Sequence, residues 1–122
     1  MAISVRNSVA WVLQGLLGLA FIASGARKFI DLPGTISLFT GLGLPIISAY
    51  LVAGGEVLGA IGLLVPRFTR RAALGLMAIM SGAVVMHATK IPGGMANGIP
   101  ALMLLVLLGV VLWLRRPGSA RA

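Results

Sequence analysis

What constrains this 122-residue chain most is where its charges are missing. Residues 7–26, 32–55, 57–66, 72–89 and 91–114 carry no charged side chain. A bilayer core about 30 Å thick is crossed by roughly 20 apolar residues rising about 1.5 Å each. The first run fits one span. The second and third are divided only by Glu56 and read as a loop followed by a span at 45–66. The fourth gives a somewhat short span at 72–90, and the last a Pro92-Gly93-Gly94 turn followed by a span at 98–114. The expected fold class is all-α: one domain, an integral membrane four-helix bundle with spans at about 7–27, 45–66, 72–90 and 98–114.

Composition closes off the alternatives. Charged residues make up 10% of the chain, against about 25% in an ordinary soluble domain. Hydrophobic residues make up 59% and the mean hydropathy is +1.08, which excludes disorder. There is no cysteine, and so no disulfide scaffold, thiol redox centre or Cys-based zinc site. One histidine and two scattered acids supply too few ligands for a metal. The net charge of +8 does not point to nucleic acid, because the basic residues flank apolar runs and lack interleaved aromatics.

Those basic residues give an orientation. Arg6, Arg67, Arg70, Arg71, Arg115, Arg116 and Arg121 fall on one side of the four spans. Arg27, Lys28 and Lys90 fall on the other, partly offset by Asp31. The positive-inside bias puts both termini in the cytoplasm of a multi-pass inner-membrane protein. Ala23-Ser24-Gly25-Ala26 resembles a signal cleavage site, but three further spans favour an uncleaved first helix.

Small residues mark helix faces suited to close approach: Gly15, Gly18, Ser24 and Gly25; Gly54, Gly55, Gly59, Ala60 and Gly62; Gly75, Ala78, Gly82 and Ala83. The last span is mostly large aliphatics and is expected to face lipid or an identical neighbour. Trp11 and Trp113 lie where interfacial aromatics anchor a helix. Residues 29–44 are apolar for a connection. They are expected to lie along the interface as a short amphipathic helix or to cap the bundle, and read either as a hydrophobic loop packed on its own protein or as a lid or lateral gate over a ligand site.

Three residues are candidates for chemistry. Glu56 lies deep in the second span, where an ionised side chain costs on the order of 3 kcal/mol to insert. It is either a structural cross-helix acid, a proton carrier or ligand anchor, or a lipid-facing exception. Lys28 shares the small-residue face of the first helix with Gly18 and Gly25 and is the favoured partner, whereas Arg27 points elsewhere. Both basic residues have the alternative of snorkelling to headgroups. At about 1.5 Å per residue, Glu56 lies roughly 12–15 Å below Lys28, beyond direct contact unless helices tilt or side chains reach. His87, the sole histidine, is either structural or a ligand contact or proton relay near the mouth of a pocket. A cavity lined by all three would hold a lipophilic molecule with a polar head, such as a quinone. No nucleophile elbow, phosphate-binding loop or dinucleotide fingerprint is present.

Three segments in order carry a family resemblance: GLAFIASGARKF at 18–29, with Gly25 and Lys28; LPIISAYLVAGGEVLGAIGLLVPRFTRRAALGL at 44–76, with Glu56; and MAIMSGAVVMHATK at 77–90, with Ala83 and His87. Together they resemble the DoxX-like family of small bacterial membrane proteins. The resemblance implies a four-helix membrane fold. It also implies membership of a group some of whose members take part in quinone-linked sulfur oxidation or membrane oxidative-stress systems.

The expected function is an accessory or binding module, with Glu56, Lys28 and His87 around an intramembrane polar pocket for a quinone-like or other lipophilic ligand. No cofactor is intrinsic to the chain, so electron flow requires one carried by a ligand or by a redox partner protein. The alternatives are a small proton-coupled multidrug-type exporter working as a homo-oligomer, with Glu56 exchanging proton and cation, and a structural subunit of a larger membrane complex.

Overall fold

The computed structural model describes residues 4–91 and 95–116. The Pro92-Gly93-Gly94 turn and Arg121 lie outside the described residues. The first helix, α1 (Val5–Ile30), begins at Ser4, whose hydroxyl accepts the Asn7 backbone N–H. It ends at Asp31, whose own N–H donates to the Arg27 carbonyl. The Asp31 carboxylate then accepts the Gly34 N–H and starts α2 (Leu32–Gly41), with Pro33 in its first turn. One acid therefore closes one helix and opens the next. Thr35 reinforces the corner by donating to the carbonyls of Lys28 and Asp31.

The segment 29–44 is thus largely a short helix, with no residue of α2 fully buried. Past Leu42 the chain reverses at Gly43, whose φ of +85° is the left-handed conformation that glycine adopts without strain. Pro45 precedes α3 (Ile46–Leu64). A single 3-10 turn at Pro66–Phe68 leads into α4 (Thr69–Thr89), and α5 (Met95–Leu114) completes the chain.

The four long helices close on themselves: α1 packs on α3, α3 on α4, α4 on α5, and α5 back on α1. Leu17, Phe21, Leu63, Leu76, Leu108 and Val111 form the centre of the shared core. Leu108 and Val111, three residues apart, give α5 a narrow inward stripe against α4, while Ile99, Met103, Val106 and Trp113 stay exposed on its outer face. The opposite faces stay apolar, with Leu19 and Leu58 each 70% exposed. Helices that are hydrophobic all round are bilayer spans or deeply buried ones. Here α1, α3 and the stretch that includes α4 are long and apolar enough to cross a membrane, while Gly98–Leu114 is a shorter apolar helix.

Close approach is concentrated at a few of the small residues. A Cβ on Gly25 would meet Val57 Cγ2 at 2.6 Å and the Ala53 carbonyl oxygen at 2.8 Å, so the backbones of α1 and α3 touch there. Gly59 sits against Leu76, and Gly62 against Ala72, across the α3–α4 contact. A Cβ added at Gly15, Gly54, Gly75 or Gly82 would meet nothing within 4 Å. Gly25→Ala is expected to destabilise the protein by about 1–3 kcal/mol through overpacking, because the obstacle is main chain. Gly15→Ala should leave stability unchanged or slightly raised. Reversible unfolding in detergent, followed by circular dichroism, checks both; equal effects would contradict the assigned contact.

Candidate functional site

Glu56 is 2% exposed, at the middle of α3 on the face that α1 covers. Its Oε1 lies 2.6 Å from Lys28 Nζ, and its Oε2 accepts the Ser24 hydroxyl at 3.0 Å. Lys28 Nζ also donates to Ser24 Oγ at 2.8 Å, which makes Ser24, Lys28 and Glu56 one connected unit. The Lys28 side chain keeps 26% exposure. Arg27 is exposed on another face.

This contact revises the 12–15 Å separation expected from spacing. Gly25 stands level with Ala53 and Val57, so Lys28, three residues on, is about one turn from Glu56 rather than level with the start of α3. By the same count α3 begins about one turn beyond the end of α1, and α2 contacts both helices. Helical side chains also slant towards the N-terminus, which carries Lys28 back to Ser24, four residues earlier, and on to the acid.

A cavity of about 460 Å³ opens beside this unit. Lys28, Glu56 and His87 all line it, each from a different helix. Its apolar wall comes from Leu38, Phe39 and Leu42 on the α2 side and from Ile79, Met80 and Met86 on α4. Among the described residues, His87 Nδ1 is buried without a hydrogen-bond partner. Gly98 of α5 lies against the His87 Cβ, where an added Cβ would approach to 2.8 Å. Lys90 Nζ donates to the Leu42 carbonyl at 3.4 Å and ties the end of α4 to the turn after α2. The site thus has an ion pair, one unused imidazole nitrogen and an oily wall partly supplied by a short helix with few anchors.

A second polar cluster was not singled out in the sequence. Gln14 is fully buried in α1 and donates to the Leu63 carbonyl at 2.6 Å and to Thr69 Oγ1 at 3.4 Å. Its Oε1 accepts Arg115 Nε at 2.8 Å. Arg115 also donates to Asn7 Oδ1 and lies over the Trp11 ring. At 8% exposure it is a packed residue, which corrects its reading as a loop charge. The available signal was Gln14 itself, a lone carboxamide within an apolar helix.

Removing one member of a buried ion pair leaves the other uncompensated, whereas removing both is often nearly neutral. Lys28→Met is expected to cost about 3 kcal/mol, discounted towards about 1–2 kcal/mol because the ammonium is partly solvated. Lys28→Met combined with Glu56→Leu should recover most of that loss. A double-mutant cycle measured by denaturation in detergent checks the coupling, and additive losses would rule it out.

Residues 12–89 match the DoxX family. The chain is 30% identical over 81 residues to a Bacillus subtilis (strain 168) protein named "Putative oxidoreductase CatD". The alignment takes in 66% of this chain and 60% of that relative's length. No solved structure matches. A match spanning α2, α3, α4 and most of α1 makes this chain a member of the DoxX family of membrane proteins.

Proposed function

We propose that this protein is a binding module of a bacterial inner-membrane redox system, holding a quinone-like ligand in the cavity between α2, α3 and α4. The observation that carries the reading is one cavity of about 460 Å³ with Lys28, Glu56 and His87 at its polar positions and aliphatic, Phe and Met side chains elsewhere. Small-molecule sites occupy roughly 300–1,000 Å³ and combine apolar walls with a few convergent polar groups. A quinone has that division of character: carbonyl oxygens that accept hydrogen bonds, and a ring and tail that prefer oil. Lys28 Nζ and a protonated His87 Nδ1 are donors suited to such oxygens, and Glu56 is an acceptor for the hydroxyl of a reduced ring. Bound this way, the quinone supplies the redox chemistry, while the chain orients the head group and excludes water.

In this reading the four long helices form a transmembrane bundle with both termini cytoplasmic. Arg6, Arg67, Arg70, Arg71, Arg115 and Arg116 support that direction against Arg27, Lys28 and Lys90. The cavity then opens in the outer half of the bilayer, where α2 serves as its cover. The oxidoreductase name of the Bacillus relative fits a redox setting. Electrons entering or leaving the ligand would pass to a partner protein.

Protein purified in mild detergent is expected to release a quinone on organic extraction, identifiable by mass spectrometry. It should also bind a short-tailed benzoquinone saturably in a direct titration. His87→Ala is expected to weaken that binding about tenfold, or about 1.4 kcal/mol, with the helical spectrum unchanged. Absence of quinone from the extract together with absence of saturable binding would end the proposal.

A further inference from the structure

At the end of the molecule remote from the Lys28–Glu56 site, a smaller cavity of about 180 Å³ lies between the first half of α1, the Pro66–Phe68 turn, the start of α4 and the residue that follows α5. Its polar lining is Asn7, Gln14, Thr69, Arg70 and Arg115, with Trp11 as a wall. We infer that this cavity binds a phosphate-bearing anion, through the guanidinium of Arg70 beside the buried Arg115.

Three observations converge on that chemistry. Arg70 Nε is buried and, among the described residues, has no hydrogen-bond partner, although a guanidinium nitrogen taken out of water calls for an acceptor. Arg115, more than nine-tenths buried, is held in place by donating to Gln14 and Asn7 and by lying over Trp11. Its position is therefore fixed by packing. The charge balance of this end is also one-sided. Arg6, Arg67, Arg70, Arg71 and Arg116 gather here, while among the described residues both acidic side chains lie elsewhere. Glu56 is taken up by Lys28, and Asp31 caps α2 at the opposite end. The first turn of α4, where Arg70 sits, has no side-chain cap, so its N–H groups and dipole add to the positive field.

Planar guanidinium groups suit phosphate oxygens in particular. Basic pockets between membrane helices commonly receive lipid head groups. The shared chemistry is a phosphate, supplied either by an anionic phospholipid or free in solution.

Two arms distinguish the sources. In the first, wild type, Arg70→Gln and Arg71→Gln are offered equal amounts of phosphatidylglycerol and phosphatidylcholine, and retained lipid is counted by native mass spectrometry. Arg71 is the exposed neighbour of Arg70 and does not line the cavity, so it controls for net charge. Wild type is expected to prefer phosphatidylglycerol, with the preference falling about tenfold in Arg70→Gln, equivalent to about 1.4 kcal/mol, and less than about twofold in Arg71→Gln.

In the second arm, inorganic phosphate is titrated against lipid-free protein in neutral detergent at constant ionic strength, and the unfolding temperature is recorded. A rise that requires Arg70, without any lipid preference, assigns the site to free phosphate. Should Arg70→Gln fail to fold, Arg70→Lys, which keeps the charge and loses the planar fork, is expected to show reduced anion binding in the same two arms. Equal losses in the Arg70 and Arg71 variants, or no Arg70-dependent effect in either arm, would overturn the inference.

Discussion

The contact between Lys28 and Glu56 is the interaction on which the rest of the molecule is arranged. A carboxylate in the middle of an apolar helix is stable only with a cation and donors close by. Both come from α1, as Lys28 Nζ at 2.6 Å and the Ser24 hydroxyl at 3.0 Å. They reach Glu56 because α1 carries Gly25 between them and meets α3 there with no side chain in the way. In lipid there is little hydrophobic drive to hold helices together, so close packing and a satisfied polar contact take over that work. Gly25 and Glu56 are therefore two parts of one device, with the glycine setting the distance at which the charges meet.

The same device accounts for the cavity. Fixing α1 to α3 at Gly25 leaves about the first turn of α3 beyond the end of α1. That space is closed by α2, which Asp31 starts directly from the end of α1. Because α2 is short and buries no residue completely, it covers the cavity without filling it. The ion pair consequently lies at the border of an oily chamber, with Lys28 still partly exposed and His87 on the facing wall. A pair sealed by packed side chains would serve architecture alone. One that borders an accessible volume has open space beside it.

Much of this was legible in residue order. The positions of the long helices follow from where charge is absent, since an uncharged run of about twenty residues has few other uses. Lys28 as the partner of Glu56 follows from helical spacing relative to Gly18 and Gly25. Their depth did not follow, because counting from the ends of two apolar runs assumes that the helices begin at the same level. The offset between α1 and α3 is a tertiary property set at Gly25. Composition likewise could not separate the glycines where an added Cβ would meet a neighbour, such as Gly25 and Gly59, from Gly15 or Gly75, where it would meet nothing within 4 Å. Arg115 was misplaced because charge suggests a loop, whereas its burial is decided by Gln14, Asn7 and Trp11, residues distant in sequence.

Gln14 shows how the opposite end meets the same constraint by different means. Pro66 lacks a backbone donor and α3 ends just before it, leaving the carbonyls of its last turn in need of donors. The Leu63 carbonyl receives Gln14 Nε2 and the Thr69 hydroxyl instead. With its amide nitrogen used there, Gln14 turns its oxygen to Arg115. A carboxylate at position 14 would accept from Arg115 but could donate nothing to Leu63. A neutral amide serves the helix end and the guanidinium together. The two polar clusters thus meet one constraint by different means: at Glu56 a carboxylate is paired with an ammonium and a hydroxyl, and at Gln14 an amide that both donates and accepts links a carbonyl to a guanidinium.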